Sequence, residues 1–213
     1  MKVRTVEELS DYMDNELAWR KKELSCLRSL ATAPNQAFNK KNAILRSLIT
    51  LTYAHWEGFI KTSASAYIEF VSQKKLPNSQ LSPNFLDLSI RVLLMNASQS
   101  KKMEDHLKVI NFFFQDMQSR SYIKYTVDTQ SNLSSAIFHN IVTTLGFDYS
   151  LYQTKEKLLD ETLLKTRNQI AHGEYIPMVE DDVLNLEQQC MRLMETFRDQ
   201  IDNAAALESY KIP

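Results

Sequence analysis

A helical repeat of apolar and polar positions runs through most of the chain. Near its start, charged residues separate apolar side chains at steps of three and four residues or their sums, namely Leu9, Met13, Leu17, Leu24 and Leu27. This spacing places them on one face of an amphipathic helix over about residues 6–31. A second stripe with helical spacing, from Leu45 to Val71, predicts the longest helix of the chain over about residues 36–74.

Five further stretches have the composition and the boundaries of helices. We predict them at about residues 85–96, 101–117, 132–145, 151–172 and 180–209. Gly146 and Gly173 stand where helices end, and the acidic run 180–182 puts negative charge at a helix start. The sequence therefore predicts an all-α fold, an up-and-down bundle of about five to seven helices, in one domain over residues 1–213.

The least regular stretch covers residues 119–135. Its part Tyr122–Val127 alternates enough for a short strand, but an isolated strand is rarely stable. We therefore predict a loop or irregular excursion from the bundle, which could gate a substrate or contact a second subunit.

Composition narrows the functions that are open to this bundle. Glycine occurs only as Gly58, Gly146 and Gly173, and the chain contains no glycine-rich phosphate loop. P-loop, kinase-like and dinucleotide-binding functions are therefore disfavoured, because such loops need several glycines for close backbone approach. The formal net charge of −1 gives no global attraction for nucleic acid, so RNA binding would need a local basic patch, enlarged by a second subunit.

The spacing of the cysteines and histidines and the lack of long apolar runs indicate a cytoplasmic protein without a metal ion or a cofactor. Cys26 and Cys190 are far apart and form no zinc-binding pair, and the four histidines lack the spacing of metal ligands. No apolar run approaches the ~18 residues that span a membrane, and no secretory signal is evident at the N-terminus. We expect no metal site, no cofactor and no membrane contact.

One run, Arg167-Asn168-Gln169-Ile170-Ala171-His172, carries side chains that suit phosphodiester chemistry. His172 falls in the last turn of its predicted helix, where the negative end of the helix dipole favours the protonated imidazole. An imidazole can move a proton near neutral pH, and a guanidinium can hold a phosphate oxygen through two hydrogen bonds. The chemistry open to this pair is metal-free cleavage of RNA by its own 2′-hydroxyl. The alternative is ordinary capping, since Arg and His before a glycine are also typical of a helix end.

This run resembles the R-x4-6-H motif of the HEPN superfamily, helical domains named for nucleotide binding in higher eukaryotes and prokaryotes. A second segment, Leu51–Lys61, resembles part of the prokaryotic HEPN branches found in defence and toxin–antitoxin loci. The resemblance implies a homodimer in which two R-x4-H helices meet in one cleft. It also implies a metal-independent endoribonuclease that leaves a 2′,3′-cyclic phosphate and acts as a toxin or an antiviral defence effector.

The resemblance also assigns roles to single residues. His172 would be the general acid or base, Arg167 would stabilise the charge on the reacting phosphate, and Asn168 would position His172 or the phosphate. HEPN toxins paired with nucleotidyltransferase antitoxins carry a modified tyrosine two positions after the histidine. Here Tyr175 stands one position later, although still near the site, so the resemblance does not extend to that modification. Another antitoxin protein or a phage-triggered activation fits the chain as well.

A polar line on the long predicted helix offers supporting residues, namely Arg46, Tyr53, Glu57 and Lys61. This line could face the motif helix and fix Arg167 through the Glu57 carboxylate. The alternative is a surface ion pair between Glu57 and Lys61, which are four residues apart.

Two other classes of function stay open at this point. A catalytically silent HEPN-like scaffold would bind a protein partner or a nucleotide, and a plain helical interaction protein would carry the motif residues by accident. The presence of both Arg167 and His172 favours an active enzyme that binds RNA.

Overall fold

A computed structural model describes residues 2–212 as eight α-helices without a β-strand. The helices are α1 (Val6–Ala31), α2 (Phe38–Gln73), α3 (Pro83–Gln99), α4 (Met103–Asn111), α5 (Ser135–Thr144), α6 (Ser150–Gln153), α7 (Lys165–Ala171) and α8 (Glu180–Ala206). The predicted all-α fold is therefore confirmed. The count exceeds the predicted range by one because α6 is a single turn, which the periodicity placed inside one helix over about residues 151–172.

Three long helices, α1, α2 and α8, form the main body of the bundle. α1 begins at a reciprocal cap, in which the Glu8 N–H donates to the Thr5 hydroxyl at 3.1 Å and the Thr5 N–H donates to the Glu8 carboxylate at 3.2 Å. α2 begins without a side-chain cap, so burial stabilises it, and both Trp56 and Phe59 are fully buried. A buried phenylalanine contributes about 1.5–3 kcal/mol by leaving water. Burial of this face therefore holds α2 in place, and with it the residues on its other sides.

Most of the buried apolar side chains form one connected cluster that extends from Val3 to Tyr210. It includes residues of all three long helices and of the shorter helices α3, α5 and α6. A core shared in this way agrees with one domain, and the domain assignment over residues 1–213 stays a prediction.

The hairpin of α3 and α4 joins this body through the start of α3, where Phe85 and Leu88 belong to the core. α4 packs chiefly against α3, buries none of its own residues and continues into π-helical turns over Phe112–Asp116. Seven apolar side chains of the hairpin, each between 44% and 84% exposed, are Val92, Met95, Met103, Leu107, Ile110, Phe113 and Phe114. We call this group the hairpin face.

The predicted excursion over residues 119–135 is irregular, as expected, and most of it lies along α2. Residues 123–133, here named the strap, run antiparallel to α2, because the Ser72 hydroxyl lies 3.5 Å from the Ile123 carbonyl and the Leu133 N–H donates to Tyr53 Oη at 2.6 Å. Within the strap, Ile123, Val127, Thr129 and Leu133 are buried, with exposed residues between them. An extended chain alternates its faces in this way, and here the buried face packs on a helix instead of pairing in a sheet.

α7 carries the motif and ends at Ala171, and Gly173 closes it as predicted. The Gly173 N–H donates to the Ile170 carbonyl at 3.1 Å, and the Glu174 N–H donates to the Gln169 carbonyl at 3.0 Å. This pair of bonds needs a left-handed residue after the cap, and Gly173 has φ +83°. His172 is the C-cap residue itself. Ahead of α7, Leu158–Leu164 form π-helical turns, a feature found frequently at functional sites.

Candidate functional site

Arg167 lies with its guanidinium over the ring of Tyr53. The guanidinium carbon is 4.1 Å from the centre of that ring, within cation–π range. Arg167 Nη1 also donates to Asn168 Oδ1 at 2.6 Å, and the side chain of Arg167 is 24% exposed. The guanidinium is therefore held in one position while part of it still faces solvent.

Glu57 approaches the same guanidinium from α2. Its Oε2 lies 3.9 Å from Arg167 Nη2, and its Oε1 accepts from the Thr129 hydroxyl at 2.6 Å. Of the two arrangements considered from the sequence, the one with Glu57 facing Arg167 is present. In residues 2–212, Glu57 forms no ion pair with Lys61.

Tyr53 supports the site from below and is almost completely buried. Its hydroxyl oxygen accepts from the Leu133 N–H at 2.6 Å. Burial raises the pKa of Tyr53, and the neighbouring Glu57 raises it further. The phenol therefore stays protonated at neutral pH and is not a general base.

A tight turn of the strap closes one side of the site. The Asn132 N–H donates to the Thr129 carbonyl at 3.1 Å, and the two central residues, Gln130 and Ser131, both have φ +53°. This is a type I′ turn without glycine, and each left-handed residue costs about 1–3 kcal/mol. The turn faces the motif helix, since Arg167 Nη2 lies 3.4 Å from the Ser131 carbonyl oxygen.

The turn also holds Asn168. Asn168 Nδ2 donates to Asn132 Oδ1 at 3.3 Å, so the Asn168 side chain bonds the turn and Arg167 together. Its contact with His172 runs only through the backbone, where the Asn168 carbonyl accepts from the His172 N–H at 2.9 Å. Sequence reasoning missed Thr129 and Asn132, because neither belongs to a motif.

These groups line an open pocket of about 490 Å³, which we call the Arg167 pocket. Its lining residues are Thr50, Tyr53, Ala54, Glu57, Gly58, Lys61, Thr129, Ser131 and Arg167. Two cations and one carboxylate therefore face a cavity that is also lined by residues with hydroxyl groups. Such a lining suits a single phosphate group better than a metal ion.

His172 and Tyr175 lie outside this cluster. His172 is exposed at the end of α7, and in residues 2–212 its side chain has neither a hydrogen bond nor an ion pair. Tyr175 is 71% exposed in the segment that follows. The structure thus brings Arg167, Asn168, Tyr53 and Glu57 together and leaves both remaining candidates at the surface.

The segment after the motif is anchored on α2. Arg46 Nη1 donates to the Glu174 carbonyl at 2.8 Å, and the Met178 N–H donates to Asn42 Oδ1 at 2.8 Å. Arg46 therefore fixes the chain two residues beyond His172. The backbone around His172 is held at both sides while its imidazole is free to turn.

Another histidine near the site has a structural role. His55 is buried on the α1 side of α2, where its Nε2 lies 2.8 Å from Glu23 Oε2 and its ring meets the Trp19 ring edge-on at 5.0 Å. Burial lowers the pKa of His55, against the pull of the Glu23 carboxylate.

Residues 2–212 lack two other kinds of feature. No three His, Cys, Asp or Glu side chains in this part of the chain lie close enough to hold one metal ion. Over the same residues, no helix has the combination of length and apolar character that crossing a membrane demands.

Comparison with known proteins places the chain in a family. No curated protein and no solved structure matches it. A family model described as HEPN_MAE_28990-like HEPN matches residues 9–210, which is nearly the whole chain. HEPN domains are generally ribonucleases. The chain therefore belongs to this HEPN family.

Proposed function

We propose that this protein is a metal-independent endoribonuclease of the HEPN type that works as a homodimer. The observation that carries the proposal is the placement of Arg167, whose guanidinium is fixed over Tyr53 at the edge of an open pocket. His172 follows five residues later on the same helix with its imidazole exposed. Family membership supports the same reaction class.

The proposed reaction uses the 2′-hydroxyl of the RNA as nucleophile. The 2′-oxygen bonds to phosphorus, and the bond from phosphorus to the 5′-oxygen breaks. A base takes the proton of the 2′-hydroxyl and an acid gives a proton to the 5′-oxygen, which leaves a 2′,3′-cyclic phosphate and a 5′-hydroxyl end. His172 performs a proton transfer, and Arg167 binds a non-bridging oxygen as its charge increases.

A second chain would complete the site. Residues five apart on an α-helix differ in direction by about 140°, and the Arg167 side chain is turned towards Tyr53. One imidazole per chain also leaves either the acid or the base unassigned. Two motif helices in one cleft would supply both imidazoles and double the positive charge, which the net charge of −1 does not otherwise provide.

Cleavage of RNA inside a cell would be toxic, and this toxicity would be the biological role of the protein. We propose a cytoplasmic toxin or antiviral defence effector, controlled by an antitoxin protein or by infection. Tyr175 is 71% exposed beside the motif, so a regulatory protein could reach it.

RNA cleavage in the presence of EDTA tests the proposal directly. Purified protein is incubated with total RNA beside Arg167→Ala and His172→Ala, and the product ends are identified. We expect 2′,3′-cyclic phosphate ends from the native protein and a loss of cleavage in both variants. Lys165→Ala and His106→Ala are matched controls, because both side chains are exposed and lie outside the Arg167 pocket. An inactive native protein, or equal cleavage by all variants, contradicts the proposal.

The hairpin face favours a second candidate function, a catalytically silent scaffold that binds a protein partner. Its seven exposed apolar side chains are of the kind that fills the centre of a protein–protein interface. A scaffold would lose its cellular effect with Phe114→Glu and keep it with His172→Ala. The proposed ribonuclease should stop the growth of cells that express it, and His172→Ala should remove this effect.

A further inference from the structure

A second pocket lies beside the Arg167 pocket on the same helix. It has a volume of about 480 Å³, and its walls include Leu27, Arg46, Ser47, Leu51 and Ile170. We call it the Leu27 pocket. Both pockets are also lined by Thr50 and Ala54, so they adjoin on one side of α2.

The chemistry of the Leu27 pocket suits a nucleobase. Leucine and isoleucine side chains from α1, α2 and α7 form its walls, and Arg46 provides a guanidinium. One N–H group of Arg46 donates to the Glu174 carbonyl, which leaves other N–H groups for a ligand. Proteins bind unstacked RNA bases against apolar, aromatic or guanidinium surfaces.

Position and charge favour RNA over a peptide as the occupant. The α2 residues that line the two pockets are centred about seven positions apart, which is about 10 Å along a helix. Neighbouring nucleotides of one strand can bridge that distance. Together the linings carry three cations, Arg46, Lys61 and Arg167, against the single carboxylate of Glu57.

We propose that the Leu27 pocket binds the nucleobase next to the cleaved phosphate, so that α2 carries a single strand of RNA across both pockets. This inference rests on the proposed ribonuclease function. It assigns to Arg46 a contact with the phosphate that follows the bound base. Ile170 of the motif is partly buried against the core, and the inference gives it a second role in binding the substrate.

Filling the Leu27 pocket tests the inference. Ser47→Phe places a ring in it, and Ser65→Phe is a matched control in a different pocket of equal volume. Both serines are exposed on α2, and each donates its hydroxyl to the carbonyl four residues earlier, at 2.9 Å and 2.7 Å. The substrate is a single-stranded RNA with one cleavage site, beside the same RNA with an abasic nucleotide at either neighbouring position.

We expect Ser47→Phe to raise KM about tenfold with kcat unchanged, the loss of one stacked base. With one of the two abasic RNAs, the KM of the native protein should be raised by the same factor. Ser47→Phe should raise the KM for that abasic RNA no further. Equal KM values for Ser47→Phe and Ser65→Phe, or independent losses from the variant and the abasic nucleotide, overturn the inference. Ala43→Phe fills the same pocket and repeats the test if Ser47→Phe unfolds.

Binding of an all-2′-deoxy oligonucleotide separates this inference from the proposed function, since such a strand cannot be cleaved. Fluorescence anisotropy gives its Kd for the native protein, Ser47→Phe and Ser65→Phe. A Kd raised about tenfold by Ser47→Phe alone supports the pocket even if no RNA is cut. A Kd unaffected by Ser47→Phe overturns the pocket even if RNA is cut, and is the result expected of a groove that binds a peptide.

Discussion

The two ends of the R-x4-H segment differ in how firmly the chain holds them. Arg167 contacts the Tyr53 ring, the Asn168 amide, the Ser131 carbonyl and the Glu57 carboxylate. Within residues 2–212, His172 is held by backbone bonds alone, and its imidazole is exposed. One short helix and its C-cap residue thus carry a side chain that is fixed in advance and a side chain that has no partner among the described residues.

In the proposed ribonuclease, the two side chains would have different tasks. An arginine that is already ordered loses little side-chain entropy when it binds a phosphate, so its position raises affinity. A histidine that moves protons must instead reach the reacting oxygens, which arrive with the RNA or are enclosed by a second chain. The Arg167 end is therefore part of the fold, whereas the His172 end depends on what binds to it.

Removal of the His172 imidazole should have the largest effect on RNA cleavage and the smallest effect on stability. We expect His172→Ala to lower the rate of RNA cleavage by about 10²–10⁴-fold, the usual contribution of a general acid or base. The thermal unfolding midpoint should stay that of the native protein, because the imidazole is exposed. Cleavage rates and calorimetry measure the two effects. A clear fall in the midpoint would show that His172 is held after all.

Mixing native and variant chains tests whether one cleft needs both imidazoles. Native and His172→Ala chains, unfolded and refolded together in equal amounts, pair at random into native, mixed and variant dimers. A cleft that needs both imidazoles is active only in the native dimers, so we expect about a quarter of the activity of the same amount of native protein. The control is each chain refolded alone. Recovery of about half of that activity would mean that each chain acts without the imidazole of its partner.

The contrast between the two ends was only partly predictable from the sequence. Amphipathic spacing sufficed for α1, α2 and α8, and Gly173 marked the helix end, because these features depend on local sequence. The turn at Gln130 and Ser131 has no glycine or asparagine at its centre, so no local signal announces it. Contacts with distant residues of α2 and α7 impose that backbone.

The π-helical turns over Leu158–Leu164 were missed for a similar reason. Their apolar positions also fit a regular helix, and the shift in hydrogen bonding is decided by packing of the folded chain. Alternation in the strap was visible in Tyr122–Val127, but it could not indicate that α2 would be the surface beneath it. The motif thus indicated candidate residues of the site. The turn and the π-helical turns near these residues could not be predicted from the sequence.

A change at Tyr53 should weaken stability more than catalysis. Tyr53→Phe keeps the ring under Arg167 but removes the acceptor of the Leu133 N–H, a buried donor that then has no partner. We expect the free energy of unfolding to fall by about 1–3 kcal/mol, measured by denaturant titration. Cleavage should fall less than tenfold. Tyr53→Leu, which removes the ring as well, should lose both, and equal cleavage by Phe and Leu variants would contradict a role for the ring.

The charge of Glu57 should have a smaller, separable effect. Glu57→Gln can still accept from Thr129 but no longer attracts the guanidinium of Arg167 across 3.9 Å. Its carboxylate also repels a phosphate, so two effects oppose each other. We expect kcat to fall a few-fold, since Arg167 is less well oriented, while KM for RNA falls or stays constant. A raised KM with an unchanged kcat would show that Glu57 does not orient Arg167.

The smallest effect concerns stability below neutral pH, which we assign to His55. Burial lowers the pKa of His55 in the folded protein below its unfolded value of about 6.5. The unfolded chain then binds more protons, so this contribution to stability is present above about pH 6.5 and is lost as the pH falls. The slope from this one group cannot exceed about 1.4 kcal/mol per pH unit.

His55→Phe keeps a ring against Trp19 and cannot be protonated, so it should flatten the loss of stability as the pH falls below about 6.5. Trp19→Phe is the control, since it keeps an aromatic ring beside His55 and removes no ionisable group. Denaturant titrations above and below this pH measure the slopes for both variants. If His55→Phe kept the native slope while Trp19→Phe flattened it, the ring contact and not the protonation of His55 would decide how stability depends on pH.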